Sequence, residues 1–300
     1  MRIDGRWRGL ALVCFDPVLR LLSTNFSDFQ NRYMIHPLAY VHPDAKLGEN
    51  VTVEPFAYVA GKVTVGDGTW IGPHAVVNDG AIIGRDCRIF SGAVIAGIPQ
   101  DLKFRGEETT AVIGDRTMVR ECATINRGTA ARGETTVGSD TLIMAYAHVG
   151  HDCVVGDHCI LVNNVSLAGE VELGDWAILG GHTAVHQFCR VGKHAMTSGG
   201  TMVGKDIPPY IKVAHNPASY VGINSVGLRR RGFSSEQINE IMDVCRIMFQ
   251  SGFSYGKGCE MLAERMSESV FAQEMREFFA GSKRGAIKPY QSRTKDQDEE

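Results

Sequence analysis

A six-residue period runs through the middle of the chain and restricts the folds that the chain can adopt. From Val41 to Val203 every sixth residue is Val, Ile or Leu, apart from four exceptions: Asp101, Glu107, Ala131 and Thr197. Four residues after each of these sites comes a second series of mostly small or β-branched residues. A helix would need apolar residues three and four positions apart, so the period indicates short strands joined by tight turns. Three such units complete one triangular coil of a parallel β-helix.

Composition excludes several classes of partner. The chain has 300 residues, of which 44% are hydrophobic, and a formal charge of −3, so no overall charge draws it to nucleic acid or to an anionic membrane. No apolar run reaches the roughly 18 residues of a membrane helix, and we expect no stable membrane insertion. The eight cysteines include no CxxC pair, which favours reduced thiols and a cytoplasmic location.

The period divides the chain into segments. Residues 1–33 precede the period and form an extension of unknown role, which a start at Met34 would remove. Residues 34–209 carry the predicted β-helix. Residues 210–290 lack the period and include an amphipathic stretch that Ser234 opens like a capping box, so we expect a helical domain there. Residues 291–300 are mostly polar or charged and predict a disordered tail.

Two interruptions of the period, within residues 96–111 and 126–136, predict loops that project from the coil. The phase of the repeat resumes after each of them. Loops on a rigid scaffold frequently carry binding residues. We therefore expect both loops to contribute to a functional site.

One edge of the predicted prism collects residues that suit acyl transfer. Because a coil takes about 18 residues, His151, Gly169 and Gln187 should stack in one column beside Asp152 and Glu170. Attack by a hydroxyl on an acyl group needs a base, a group that orients the base, and a donor for the oxyanion. His151, Asp152 and the Gly169 N–H are placed for these three roles.

Other residues near this edge leave alternatives open. His148 and His186 lie close to the column, and clustered histidines also bind zinc. Three consecutive arginines, Arg229 to Arg231, suit either a solvated turn or a site for phosphate or an acidic protein, because guanidinium groups bind phosphate bidentately.

Four motifs are more specific than the repeat, and they span Ile98–Phe104, His148–Cys153, Gly180–Phe188 and Gly227–Phe233. Through them the chain resembles the UDP-N-acetylglucosamine acyltransferases, which catalyse the first step of lipid A synthesis. The resemblance extends from about Ile35 to Gly285. It implies a mainly β fold, in which a left-handed parallel β-helix precedes a C-terminal α-helical domain. It also implies a homotrimer with active sites between subunits.

The resemblance implies a reaction and assigns residues to it. A (R)-3-hydroxyacyl chain would pass from acyl carrier protein to the 3-hydroxyl of UDP-N-acetylglucosamine, with no cofactor or metal. His151 would be the base, Asp152 its partner, and the Gly169 N–H would face the thioester oxygen. The positions that line the substrates or contact nucleotide phosphate or carrier are Asp101, Lys103, His148, His186, Gln187, Asn224, Arg230 and Arg231. Gly199 matches the residue where the methyl end of the acyl chain stops, which implies a long chain.

The chain also departs from the family pattern. Glu170 and Asn126 stand where histidines are found in family members, and Val226 replaces a glutamate. With Glu170 beside Asp152, we expect the pKa of one of the two carboxyl groups to be raised. Residues 1–33 have no counterpart in the family.

Several other functions remain compatible with the repeat. An acetyltransferase that uses acetyl-CoA has the same fold, although residues 224–231 argue against it. A γ-class carbonic anhydrase would hold zinc with three histidines. The related N-acyltransferase of the same pathway carries an N-terminal uridine-binding domain, which 33 residues cannot supply. A non-enzymatic scaffold and a 3-amino acceptor are further alternatives.

Overall fold

The computed structural model describes residues 34–289, which form a triangular parallel β-helix followed by helices. Both parts belong to one compact unit that begins at Ile35. The predicted extension of residues 1–33 and the predicted tail of residues 291–300 lie outside the described residues.

Three sheets form the sides of the prism. Sheet 1 has nine strands, which are Tyr40–Val41, Tyr58–Val59, Val76–Val77, Val94–Gly97, Thr124–Asn126, His148–Val149, Ser166–Leu167, Ala184–Val185 and Met202–Val203. Sheet 2 has eight, which are Lys46–Leu47, Thr64–Val65, Ala81–Ile83, Thr110–Ile113, Glu134–Val137, Val154–Val155, Glu172–Leu173 and Arg190–Val191. Sheet 3 has eleven, which are Thr52–Val53, Trp70–Ile71, Arg88–Ile89, Met118–Val119, Leu142–Ile143, Ile160–Leu161, Ile178–Leu179, Met196–Thr197, Ile211–Ala214, Ser219–Ile223 and Lys288–Pro289.

The aliphatic series found in the sequence is the core of this prism. Strands stack in parallel and in register, so Val41 pairs with Val59 and His148 pairs with Ser166. In a typical strand the second residue is buried and the first is more exposed, because alternate side chains point to opposite faces of a sheet. Ile71 and Val149, for example, are both 0% exposed. The predicted fold and its inward series are therefore confirmed.

Corners between the sheets stack just as regularly. The third residue of most corners has a positive φ, as at Asp152 (φ 59) and Glu170 (φ 60). This conformation suits Asp and Asn, whereas bulkier residues adopt it only where the surroundings impose it. Backbone hydrogen bonds tie successive corners together, such as Glu170 N–H to His151 O at 2.9 Å. The stacking makes three edges, which we call the His151 edge between sheets 1 and 2, the Trp176 edge between sheets 2 and 3, and the Gly199 edge between sheets 3 and 1.

Both predicted loops are present where the period breaks. Stacked positions are 18 residues apart in most coils, but they are 30 apart across the first loop and 24 apart across the second. The first loop, loop 1, covers residues 98–109, and the second, loop 2, covers residues 127–133. The sheets continue in register beyond each loop, so the extra residues project from the coil without disturbing the core.

Four helices follow in the described part of the chain: α1 (Ser225–Arg230), α2 (Ser235–Phe249), α3 (Tyr255–Arg265) and α4 (Val270–Ala280). The capping box predicted at Ser234 is present, because its hydroxyl accepts the Gln237 N–H and the Gln237 side chain binds back to the Ser234 N–H. The helices begin at Ser225, later than the expected start at residue 210. The strands Ile211–Ala214 and Ser219–Ile223 instead extend sheet 3 as an antiparallel pair. In the first of them the buried Ile211 and Val213 alternate with less buried residues, which is the period of a strand.

A stack of rings on the Trp176 edge joins the helical domain to the prism. His158, Trp176 and His194 stack with centroid separations of 4.1 Å and 6.3 Å, and Tyr210 extends the stack beyond His194. Phe233, which lies between α1 and α2, packs edge-on against His194 at 5.1 Å. The helical domain is therefore fixed to one edge of the prism.

Candidate active site

The His151 edge carries a histidine–carboxylate pair at the corner that joins sheets 1 and 2. His151 Nδ1 lies 2.7 Å from Asp152 Oδ2. The Asp152 side chain is fully buried, whereas the His151 side chain is 12% exposed. The carboxylate is therefore shielded from water, and the imidazole lies between it and the surface.

Loop 2 surrounds the Asp152 carboxylate with donors. The Thr129 N–H donates to Oδ1 at 2.9 Å, and the Arg132 N–H donates to the same oxygen at 3.2 Å. The Thr129 hydroxyl donates to Oδ2 at 2.7 Å. Together with His151, these groups give the carboxylate four hydrogen bonds, so it is well suited to carry its charge while buried.

Of the two carboxyl groups for one of which a raised pKa was expected, Asp152 shows the opposite shift. Burial acts to raise the pKa of Asp152, but hydrogen bonds from His151 and Thr129 outweigh burial and hold its pKa below the ordinary value. The nearby Glu170 carboxylate accepts a hydrogen bond from the Gln187 Nε2 amide at 3.5 Å. Hydrogen bonds from His151 and from Thr129 of loop 2 are therefore the physical reason why the pKa of Asp152 is not raised.

Ionised Asp152 fixes the proton of His151. A carboxylate only accepts hydrogen bonds, so Nδ1 carries the hydrogen and Nε2 carries the free lone pair. Nε2 lies against the backbone of the next coil, because a Cβ added at Gly169 would be 2.4 Å from it. The Gly169 N–H has no hydrogen-bond acceptor among residues 34–289. The edge thus presents a basic nitrogen beside an unused backbone donor.

The structure brings together six of the predicted site residues. His151 and Gly169 stack with Gln187 in the expected column, with Asp152 beside them. His148 precedes them on its sheet 1 strand, where its Nδ1 lies 2.7 Å from Thr124 Oγ1. Burial and the neighbouring His151 lower the pKa of His148. The exposed His186 donates from Nδ1 to the Gln187 carbonyl at 3.0 Å.

Other predicted residues lie elsewhere on the chain. Asp101 and Lys103 are in loop 1, where the Asp101 carboxylate accepts the Lys103 N–H at 2.9 Å. Gly199 is exposed on the Gly199 edge, one coil beyond Gly181. No hydrogen bond connects Asp101, Lys103 or Gly199 to His151 within the described residues.

The basic segment at α1 holds residues with different environments. Asn224 is buried and caps α1, accepting the Gly227 N–H at 3.3 Å and donating Nδ2 to the His194 carbonyl at 3.0 Å. Arg231 is partly buried, lies over the Trp176 ring at 5.0 Å and contacts His194. Arg230 is exposed. Asn224 and Arg231 therefore help to dock the helical domain, and Arg230 is the more available for an anion.

Sequence reasoning expected loop 2 to contribute to the site, but it did not identify the residues that hold Asp152. Thr129 and Arg132 hold Asp152, and Thr135 Oγ1 accepts the Asp152 N–H at 2.8 Å. The only signal for these residues in the sequence was the break in the period. No group of three or more His, Cys, Asp or Glu side chains between residues 34 and 289 is arranged to hold a metal ion.

The coil and the His151 edge together define a transferase of the hexapeptide-repeat class. Residues 62–97 and 134–169 match the repeats described as bacterial transferase hexapeptide. Residues 206–287 match the second domain of UDP-N-acetylglucosamine O-acyltransferase. The chain folds as a left-handed parallel β-helix with a C-terminal helical domain.

Relatives identify the family. An acyl-[acyl-carrier-protein]–UDP-N-acetylglucosamine O-acyltransferase from Pseudomonas putida is 50% identical over 252 residues, which are 84% of this chain and 98% of the relative. The structure of the UDP-N-acetylglucosamine acyltransferase from Bacteroides fragilis shares 47% identity, with a TM-score of 0.83 over 85% of this chain and 100% of that chain. The enzyme from Francisella novicida shares 39% identity, with a TM-score of 0.82 over 85% and 94% of the two chains. The chain belongs to the UDP-N-acetylglucosamine O-acyltransferase family and is an acyltransferase of that kind.

Proposed function

We propose that the protein transfers a (R)-3-hydroxyacyl chain from acyl carrier protein to the 3-hydroxyl of UDP-N-acetylglucosamine, the first step of lipid A biosynthesis. The named relatives support the two substrates. The observation that carries the chemistry is the 2.7 Å contact between His151 and a buried, fully hydrogen-bonded Asp152. This contact leaves Nε2 as a base at the surface of the coil.

The reaction then proceeds by direct attack. His151 Nε2 takes the proton of the sugar 3-hydroxyl while the hydroxyl oxygen bonds to the carbonyl carbon of the thioester. The carbonyl oxygen becomes an oxyanion, for which the Gly169 N–H is the available donor. The intermediate collapses with cleavage of the carbon–sulfur bond, and the imidazolium returns its proton to the departing thiolate. The products are the O-acylated sugar nucleotide and the free thiol of the carrier, which carries the proton that the sugar hydroxyl lost.

Direct transfer needs no cofactor or metal, because the thioester is already activated and one base serves both proton transfers. Electrostatic stabilisation by a backbone N–H supplies what a Lewis acid would otherwise provide. We therefore propose that acyl carrier protein enters as a substrate and that no further group takes part.

A homotrimer would unite the residues that one chain keeps apart. His151 and Gly199 lie on different edges of the prism, and the loop 1 residues Asp101 and Lys103 project from it. If the Gly199 edge of one subunit faces the His151 edge of the next, Gly199 can limit the acyl chain of a donor bound at His151. The proposed active sites therefore lie between subunits, with Arg230 near the nucleotide phosphate or the acidic carrier.

The proposed location is the cytoplasm. Cysteines in the described residues are free thiols, which is typical of a reducing compartment. No helix of the described residues is long and apolar enough to span a bilayer.

Incubation with UDP-N-acetylglucosamine and a panel of hydroxyacyl carrier proteins tests the proposal, with products identified by mass spectrometry. We expect a product that gains one hydroxyacyl group on the sugar, and no product from acetyl-CoA. A His151→Ala enzyme is the control for the base. Acylation of a 3-amino analogue in preference to the 3-hydroxyl substrate would contradict the proposed acceptor, and a zinc-dependent hydration activity would contradict the reaction class.

A further inference from the structure

We infer that Thr129 is a positioning residue of the active site, whose hydroxyl holds the Asp152 carboxylate in the orientation that His151 requires. The inference rests on the proposed role of His151 as the base. Thr129 belongs to loop 2, and its position follows from no repeat of the sequence.

Thr129 and His151 share one oxygen of Asp152. The Thr129 hydroxyl and His151 Nδ1 both lie 2.7 Å from Oδ2. The hydroxyl has no other acceptor among the described residues, while its oxygen accepts the Ala131 N–H at 3.2 Å. Its proton is thereby directed at Oδ2. Two donors on a single oxygen fix the rotation of the carboxylate about its χ2 axis and disperse its charge.

Loop 2 is held firmly enough for this task. The Gly133 N–H donates to the Thr129 carbonyl at 2.7 Å and closes the loop on itself. Gly128 lies so close to the returning strand that an added Cβ would be 2.3 Å from the Glu134 nitrogen. Arg132 ties the loop to the coil through a 2.8 Å ion pair with Glu172. Thr129 is itself only 6% exposed.

Removal of the hydroxyl has a predictable electrostatic direction. With one donor lost, more negative charge remains on Oδ2, which stabilises the protonated imidazole of His151. The other charged or titratable groups near the ring are His148, Glu170 on the next coil and Arg132 of loop 2. None of these changes in a Thr129 variant. Any reaction that needs the free Nε2 lone pair of His151 should therefore shift to higher pH in a Thr129 variant.

The test compares three variants with a matched control. Thr129→Ala removes the hydroxyl, Thr129→Val also excludes a replacing water, and Thr129→Ser keeps the hydroxyl. Thr141→Ala is the control, because Thr141 is 1% exposed and its hydroxyl also makes backbone hydrogen bonds, but at the Trp176 edge. Thermal unfolding of the full-length enzyme establishes that each variant is folded.

Two readouts separate positioning from simple structural support. The first is the pH profile of kcat/KM. The second needs no turnover: the rate at which diethyl pyrocarbonate acylates His151, followed against pH by mass spectrometry of its peptide. For Thr129→Ala and Thr129→Val we expect both midpoints to rise by about one pH unit and kcat to fall about tenfold. Thr129→Ser and Thr141→Ala should keep the wild-type midpoints.

Three results bear on the inference. Wild-type midpoints in folded Thr129→Ala and Thr129→Val enzymes would overturn it. Equal defects in Thr129→Ser and Thr129→Ala would also overturn it, because the hydroxyl would then not be responsible. A shifted acylation midpoint with unchanged turnover would support the positioning role and contradict the proposed role of His151 as base.

Discussion

Adding a single methyl group at Gly169 should disable the site by displacing the base. A Cβ at Gly169 would lie 2.4 Å from His151 Nε2 and Cε1 and 3.0 Å from Cδ2. Ordinary contacts begin near 3.4 Å, so the imidazole must retreat by about 1 Å. Gly169 is not among the glycines with positive φ, so its backbone conformation accepts alanine. A loss of activity in Gly169→Ala would therefore result from displacement of the His151 ring and not from backbone strain.

A retreat of this size has a calculable consequence. Misplacement of a reacting group by about 1 Å can reduce the rate about a hundredfold. The shift also lengthens the 2.7 Å bond between His151 Nδ1 and Asp152, so the orientation of the base suffers as well. The His151 side chain is partly exposed, so its ring can turn toward solvent, which limits the loss in the free energy of unfolding to about 1 kcal/mol. We expect kcat to fall about a hundredfold with little change in melting temperature.

Steady-state kinetics with UDP-N-acetylglucosamine and a hydroxyacyl carrier protein measures this prediction. Gly256→Ala is the matched control. Gly256 lies in α3 of the helical domain, and a Cβ added there would have no atom within 4 Å. The control should keep the wild-type kcat. A folded Gly169→Ala enzyme with wild-type kcat would show that the close approach of ring and backbone has no catalytic importance.

The remaining predictions concern other parts of the molecule. His151→Ala should lower turnover by about a hundredfold or more with the fold intact, and Asp152→Asn should cost less, because it disturbs the base without removing it; near-normal kinetics for His151→Ala would exclude it as the base. Arg230→Ala should raise KM for the sugar nucleotide or the carrier more at low salt than at high salt, since ions screen charged contacts; an unchanged KM would mark Arg230 as a solvated residue. Gly199→Met should shift donor preference to shorter chains, at about 0.8 kcal/mol per displaced methylene; competition among donors of different length would show an unchanged preference if Gly199 does not limit the chain. Burial and two neighbouring cations lower the pKa of His194 to about 4, so the unfolded state binds the proton first as pH falls below about 6.5. The free energy of unfolding, measured by urea titration, should therefore decrease by up to about 2 kcal/mol between pH 7 and pH 5 because of this group alone. A His194→Gln protein with the same pH dependence as wild type would contradict this.

Much of the His151 edge could be predicted because the repeat converts sequence separation into distance. Residues 18 apart stack, so the repeat alone places Gly169 one coil above His151 and Gln187 two coils above it. The pairing of His151 with Asp152 could be predicted in the same way, from their neighbouring positions at one corner.

The charge state of Asp152 could not be predicted from the repeat, because it depends on loop 2. Considered alone, the adjacent Glu170 suggested a raised carboxyl pKa, whereas hydrogen bonds from His151 and from Thr129 of loop 2 lower the pKa of Asp152. The environment of Arg231 could not be predicted from the repeat either. Its contacts with Trp176 and His194 join segments that are far apart in sequence.

The sequence by itself thus determined the coil, its core, its three edges and the stacking of His151 with Gly169. Each of these follows from a local rule that is applied at a fixed period, so no long-range information is needed. Tertiary structure alone decided which groups surround Asp152, where residues 211–223 join sheet 3, and how α1 docks on the Trp176 edge. These arrangements depend on hydrogen bonds and ring contacts between segments with no common period. A local pattern cannot specify which of the many possible partners such a segment will meet once the chain has folded.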